Sequence, residues 1–179
     1  MYQRLLLPTD GSDASATAAE VAVALADQFD ADLHIIHVLE DDRSSTDSDG
    51  STGPGRRGEE AVQAAVELAT SAGVEATKRI IERGESIHEE ILSYTDQHDI
   101  DCIVMGTRGR SGLSLSRAVL GSVAELTLRE SSVPVMTVHE GTVVDGDISS
   151  ILVPPDGREC AHTAVDHAGD LDRSADAKL

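Results

Sequence analysis

Two clusters in this chain combine residue types and spacings that could hold a charged small molecule. The first, PTDGSD, runs from Pro8 to Asp13, after an apolar run and before a segment of helical period. Pro8 ends the run, Gly11 permits a tight turn, and Ser12 or Asp13 can cap the helix that follows. A turn and a cap explain Gly11, Ser12 and Asp13, but neither requires Asp10. The second cluster, MGTRGRSGLSLSRAVLGSVAEL from Met105, sets Gly106, Gly109 and Gly112 at intervals of three, with Gly121-Ser122 near a helical segment. Glycines at such spacing leave backbone N–H groups accessible, and a helix N-terminus attracts anions.

Charge marks the second cluster more strongly than glycine does. The chain has 179 residues, 33 acids, 14 Lys and Arg, and a net charge of −19. An even spread would put about four acids between Cys102 and Ala124, yet there are none. The same window holds Arg108, Arg110 and Arg117. Guanidinium forks and backbone amides at the end of a strand are the chemistry of phosphate binding. The plainer alternative is a basic surface loop. A nucleic-acid surface is disfavoured, because the overall field is repulsive and aromatic residues make up only 2% of the chain.

These clusters need a scaffold that brings two distant loops to one edge. Apolar runs of strand length (4–9, 33–39, 77–82, 100–106 and 133–138) alternate with helical periods (13–29, 59–72, 86–99 and 119–130), the signature of a parallel sheet covered by helices. The stretch from Asp41 to Gly58 is rich in Ser, Gly and Asp and reads as a loop. Residues 150–179 then repeat residues 4–33 without a gap: Leu6, Pro8, Asp10, Gly11, Ala22 and Leu25 recur at Leu152, Pro154, Asp156, Gly157, Ala168 and Leu171. The expected organisation is a domain over 1–140, a connector over 141–149 and a partial second repeat, strand plus helix, over 150–179.

Composition bounds the setting. The acid-rich, lysine-poor surface resembles that of proteins from salt-loving organisms, and mutual repulsion of the acids needs counterions. There is no apolar run of membrane-spanning length and no basic-then-apolar leader, so the expectation is a soluble cytoplasmic protein without a membrane partner. Cys102 and Cys160 form no C-x-x-C pair and read as idle thiols. No metal site is expected. His34 and His37 point to opposite faces of a strand, His162 and His167 are five apart, and His88 and His98 read as solvated helix residues.

The opening LLLPTDGS, the strand HIIHV, the segment DIDCIVMGTRGRSG, the later LGSVAE and the closing SSVPVMTV together resemble the universal stress protein family. That resemblance implies an open, Rossmann-like five-stranded parallel sheet of order 3-2-1-4-5 with helices on both faces, which joins the two clusters at the switch point. In nucleotide-binding members a G-x-x-G motif followed after nine residues by G-S or G-T binds ATP. Here eleven residues separate Gly109 from Gly121. By position, Pro8, Thr9 and Asp10 would approach the ribose and adenine, Val38 would line the base, and Met105 and Gly106 would form the floor. Arg108, Gly109, Gly121, Ser122 and Val123 would hold the phosphates, with Mg2+ carried by the nucleotide itself. The resemblance thus implies an ATP-binding stress-response regulator, at most a slow ATPase. The alternatives are a non-nucleotide member that works by dimerisation through the edge strand 133–138, or an adenylating ATP-pyrophosphatase.

Overall fold

The computed structural model describes residues 2–39, 54–82, 84, 86–107, 120–143, 150–153 and 159–175. Two compact units result, Tyr2–Val144 and Asp145–Leu179, with Met1 grouped in the second.

In the first unit the strands are β1 (Arg4–Pro8), β2 (Asp32–Val38), β3 (Ala76–Ile81), β4 (Cys102–Gly106) and β5 (Val135–Val138). They interleave with α1 (Asp13–Phe29), α2 (Pro54–Ala72), α3 (Ile87–Gln97) and α4 (Ser122–Glu130). The sheet is parallel throughout, in the order β3-β2-β1-β4-β5. β1 is central because its LLL run can be buried on both faces: Leu5, Leu6 and Leu7 are all fully buried.

Alternation along the strands divides the core into two layers. Leu6, Ile36, Val38, Ile103 and Met105 join Ile91, Tyr94, Ile100 and Ala124 on the face covered by α3 and α4. The other face receives α1 and α2. The buried positions of α1 include Ala14, Ala18, Ala19, Ala22 and Ala26, side chains small enough to let the helix axis approach the sheet closely.

Helix ends follow local chemistry. Ser12 caps α1 by accepting from the Ser15 N–H, and Asp30 closes the helix in the left-handed region at φ 51°. Ser86 and Glu89 form a capping box on α3. Its hydrogen bonds to Ser86 hold the Glu89 carboxyl below the usual range.

Three expectations need correction. Helix α2 begins at Pro54, so residues 54–58, read as the end of a loop rich in Ser, Gly and Asp, are helical. Proline is suited to a first helical position because its missing N–H would have no partner there. In the second unit α5 spans Glu159–Ala175, but Ile151–Val153 form no strand. A strand requires a ladder, and Leu152 is 91% exposed. Thirdly, α4 begins at Ser122 and β5 at Val135, both later than expected; Val119 lies outside the described residues.

Candidate functional site

Because all five strands run the same way, the loops after β1, β2 and β4 emerge along one edge. Backbone hydrogen bonds fix their starts: the Thr9 N–H reaches the Ile36 carbonyl at 2.9 Å, Leu39 reaches Ile81 at 2.9 Å, and Thr107 reaches Val138 at 2.8 Å. Along this edge β1 and β4 part company, each leading to a helix on a different face, and in an open parallel sheet such a switch point is where ligands bind.

The β1 tip is a tied turn. Asp10 Oδ1 accepts from the Ser12 N–H at 3.0 Å, and Gly11 sits at φ +74°, where a side chain would be strained. Buried Thr9 organises the turn from below. Its Oγ1 accepts from the Gly11 N–H at 3.5 Å and donates to Ser15 Oγ at 3.1 Å, which donates in turn to the Ser12 carbonyl at 2.9 Å. Thr9 is therefore occupied internally. Asp10 is half-buried at the tip, with Pro8 half-buried behind it.

Val38, the last residue of β2, and Met105, the last but one of β4, lie in the α3/α4 layer, in a cluster that also holds Ala124. Val123 and Leu120 pack against it, as do Ile81 and Ile87. The structure thus brings Val38, Met105 and Val123 into one apolar wall. Gly106 has a packing reason of its own. A Cβ built there would lie 2.8 Å from the Ala14 carbonyl carbon and 2.9 Å from the Ser15 N, so it marks the close approach of α1.

Gly121 is the N-cap of α4, and no side chain caps that helix. The Gly121 N–H donates to the Thr107 carbonyl at 2.7 Å, which joins the β4 exit to the helix start and engages the amide expected to meet phosphate. The next residues, exposed Ser122 and half-buried Val123, stand at the positive end of the helix. Arg108 and Gly109 lie outside the described residues.

Sequence reasoning missed His37. Its Nδ1 lies 2.8 Å from the Thr9 carbonyl, which can only accept, so Nδ1 carries the hydrogen. Pattern alone shows a histidine on a buried strand; only the register with β1 reveals its partner. The other histidines also differ from expectation. His88 is largely buried, with Nε2 3.5 Å from Glu130 and Nδ1 2.9 Å from Ser86 Oγ. His98 packs on the Tyr94 ring with centroids 4.0 Å apart and faces His34 at 5.6 Å. Both were read as solvated because helix periodicity does not show which neighbouring element covers a flank. Among the described residues, no group of three or more His, Cys, Asp or Glu is placed to hold a metal. No described helix is long and apolar enough to cross a membrane.

Residues 1–139 match the universal stress protein family. A universal stress protein of Methanocaldococcus jannaschii is 34% identical over 153 residues, covering 78% of this chain and 84% of the relative. A universal stress protein structure from Archaeoglobus fulgidus has a TM-score of 0.64 at 22% identity, covering 77% of this chain and 99% of that one. A universal stress protein solved in complex with cAMP has a TM-score of 0.58 at 26% identity, covering 78% and 98%.

Proposed function

Because the chain belongs to the universal stress protein family, we propose that it is a cytoplasmic regulatory protein that binds ATP at the β1/β4 crevice and hydrolyses it slowly at most. The observation that supports this best is the convergence of three features on one edge. They are the tied Asp10 turn, the apolar wall of Val38, Met105 and Val123, and the uncapped start of α4. In this reading the adenine lies on the wall, and Asp10 accepts from the nucleoside. The phosphates meet the Ser122 hydroxyl and the amides of Ser122 and Val123, with Arg108 and Gly109 as further phosphate contacts. Mg2+ would arrive on the phosphates. The cAMP complex of a relative agrees with an adenine nucleotide as the class of ligand. The half-exposed edge strand β5 would pair two copies.

Calorimetric titration of ATP into the full chain in molar KCl tests this. One site per chain is expected, and Asp10→Ala should weaken it by about tenfold or more, the cost of losing about 1.5–3 kcal/mol for a charged hydrogen bond. Wild-type affinity in Asp10→Ala would sink the site assignment. Failure of the unmodified chain to bind would favour the reading in which the fold works through dimerisation alone.

A further inference from the structure

The His37 ring is buried and has two unlike ends. Nδ1–H donates to the Thr9 carbonyl at 2.8 Å, whereas Nε2 is buried and has no hydrogen-bond partner among the described residues. An unsatisfied buried nitrogen carries a desolvation cost, and a hydrocarbon side chain there would avoid it. The ring's retained interaction is therefore the one at Nδ1. That bond lands on the last backbone carbonyl before Asp10, beyond the β1 ladder, which ends at Pro8.

Helix α2 is shaped around the same ring. A Cβ at Gly58 would stand 2.0 Å from His37 Nε2 and 2.2 Å from its Cε1, so only glycine leaves room. One residue before Gly58 and three after it, α2 also meets the site turn: a Cβ at Gly11 would lie 3.3 Å from the Arg57 carbonyl oxygen and 3.6 Å from the Ala61 Cβ. The first turns of α2 thus press on both His37 and the Asp10–Ser12 turn.

We propose that His37 is a positioning residue for the nucleotide site: wedged by Gly58 of α2, it fixes the Thr9 carbonyl and through it the Asp10 turn, so that the seating of α2 sets nucleotide affinity. The affinity half of this rests on the ATP reading above; the turn half does not.

Amide hydrogen exchange on the full chain without nucleotide separates the two. The Ser12 N–H, held by Asp10 Oδ1, reports the turn. The Asp101 N–H, held by the Arg4 carbonyl at 2.9 Å, reports the other end of β1. His37→Leu removes the donor, His37→Asn keeps an N–H near the Nδ1 position, and Gly58→Ala displaces the ring while leaving its chemistry intact. Exchange at Ser12 should be about tenfold faster or more in His37→Leu and Gly58→Ala and near wild type in His37→Asn, with Asp101 unchanged in all three. ATP affinity should follow Ser12, falling about tenfold in the first two variants and recovering in the third. Unchanged Ser12 exchange in His37→Leu would overturn the proposal, as would Ser12 and Asp101 accelerating together, since that is loss of the whole sheet. If the unmodified chain binds no ATP, the functional reading and the affinity half fall together, and the exchange pattern still decides the turn.

Discussion

Replacing Gly106 by alanine adds one methyl group at the point where α1 lies closest to the sheet. Its nearest neighbours would be the Ala14 carbonyl carbon at 2.8 Å, the Ser15 N at 2.9 Å and the Ala14 Cβ at 3.0 Å. Ordinary van der Waals contact begins near 3.4 Å, so the helix must retreat by about 0.6 Å or the strand must bend. Two of the three neighbours are backbone, and no rotamer change relieves them. Overpacking of this kind costs about 1–3 kcal/mol. For a chain of this size each kcal/mol moves the melting temperature by roughly 2–4 °C, so a fall of roughly 2–12 °C is expected in thermal unfolding followed by circular dichroism. Gly141→Ala is the control, because its Cβ would meet only His139 Nδ1 at 3.8 Å. A Gly106→Ala protein melting within about 1 °C of wild type would refute the packing argument. A loss of ATP affinity without that fall would return Gly106 to the role of ligand floor.

Three further outcomes are open to measurement. At −19, the melting temperature should rise with KCl into the molar range, as the Debye length shortens to about 3 Å at 1 M; a flat or falling curve contradicts this. Burial, and then the neighbouring His98, lower the His34 pKa from its ordinary 6.5, with Asp32 opposing and Arg4 adding to the fall. The unfolded chain therefore takes up this proton first as pH drops, and stability should decline below about pH 6.5, a slope that His34→Gln should flatten and that fails the reasoning if it stays unchanged. The Cys102 thiol, pushed up to about 12 by burial, should resist iodoacetamide at pH 8 until the protein unfolds, and rapid alkylation of the native chain would contradict its placement.

Strand count and the bounds of α1 were legible because burial and helical period write themselves into the apolar pattern, whereas the sheet order came from the family resemblance. β1 reads as LLL between Arg4 and Pro8, and the alanines of α1 recur on one face. Asp10, Val38, Met105 and the α4 start could be placed at one edge once the resemblance supplied the order of strands. What the pattern could not carry was anything decided by contact across elements. Gly58 looks like loop punctuation until His37 is seen against it. Gly121 looks like a free phosphate donor until the Thr107 carbonyl is found 2.7 Å away. Ile151–Val153 repeat the apolar character of Leu5–Leu7, yet an apolar run does not specify a pairing partner, and among the described residues of that segment only Ser150, just before them, makes a β-bridge.

The central position of β1 has a consequence for synthesis on the ribosome. β1 is made before both of the strands that flank it, and its β4 partner arrives late: Leu5 pairs with Leu33 but also with Cys102. At 5–20 residues per second, roughly 5–20 s pass between translation of the two. Throughout that interval one flank of Leu5, Leu6 and Leu7 awaits its mate. The Asp101 carboxylate, which accepts from the N–H groups of Gln3 and Arg4 at 2.7 and 2.8 Å, then latches the newly arrived strand to the waiting β1. Nascent chains stalled before β4 should accordingly engage chaperones through the leucine run, and those stalled after β5 should release them.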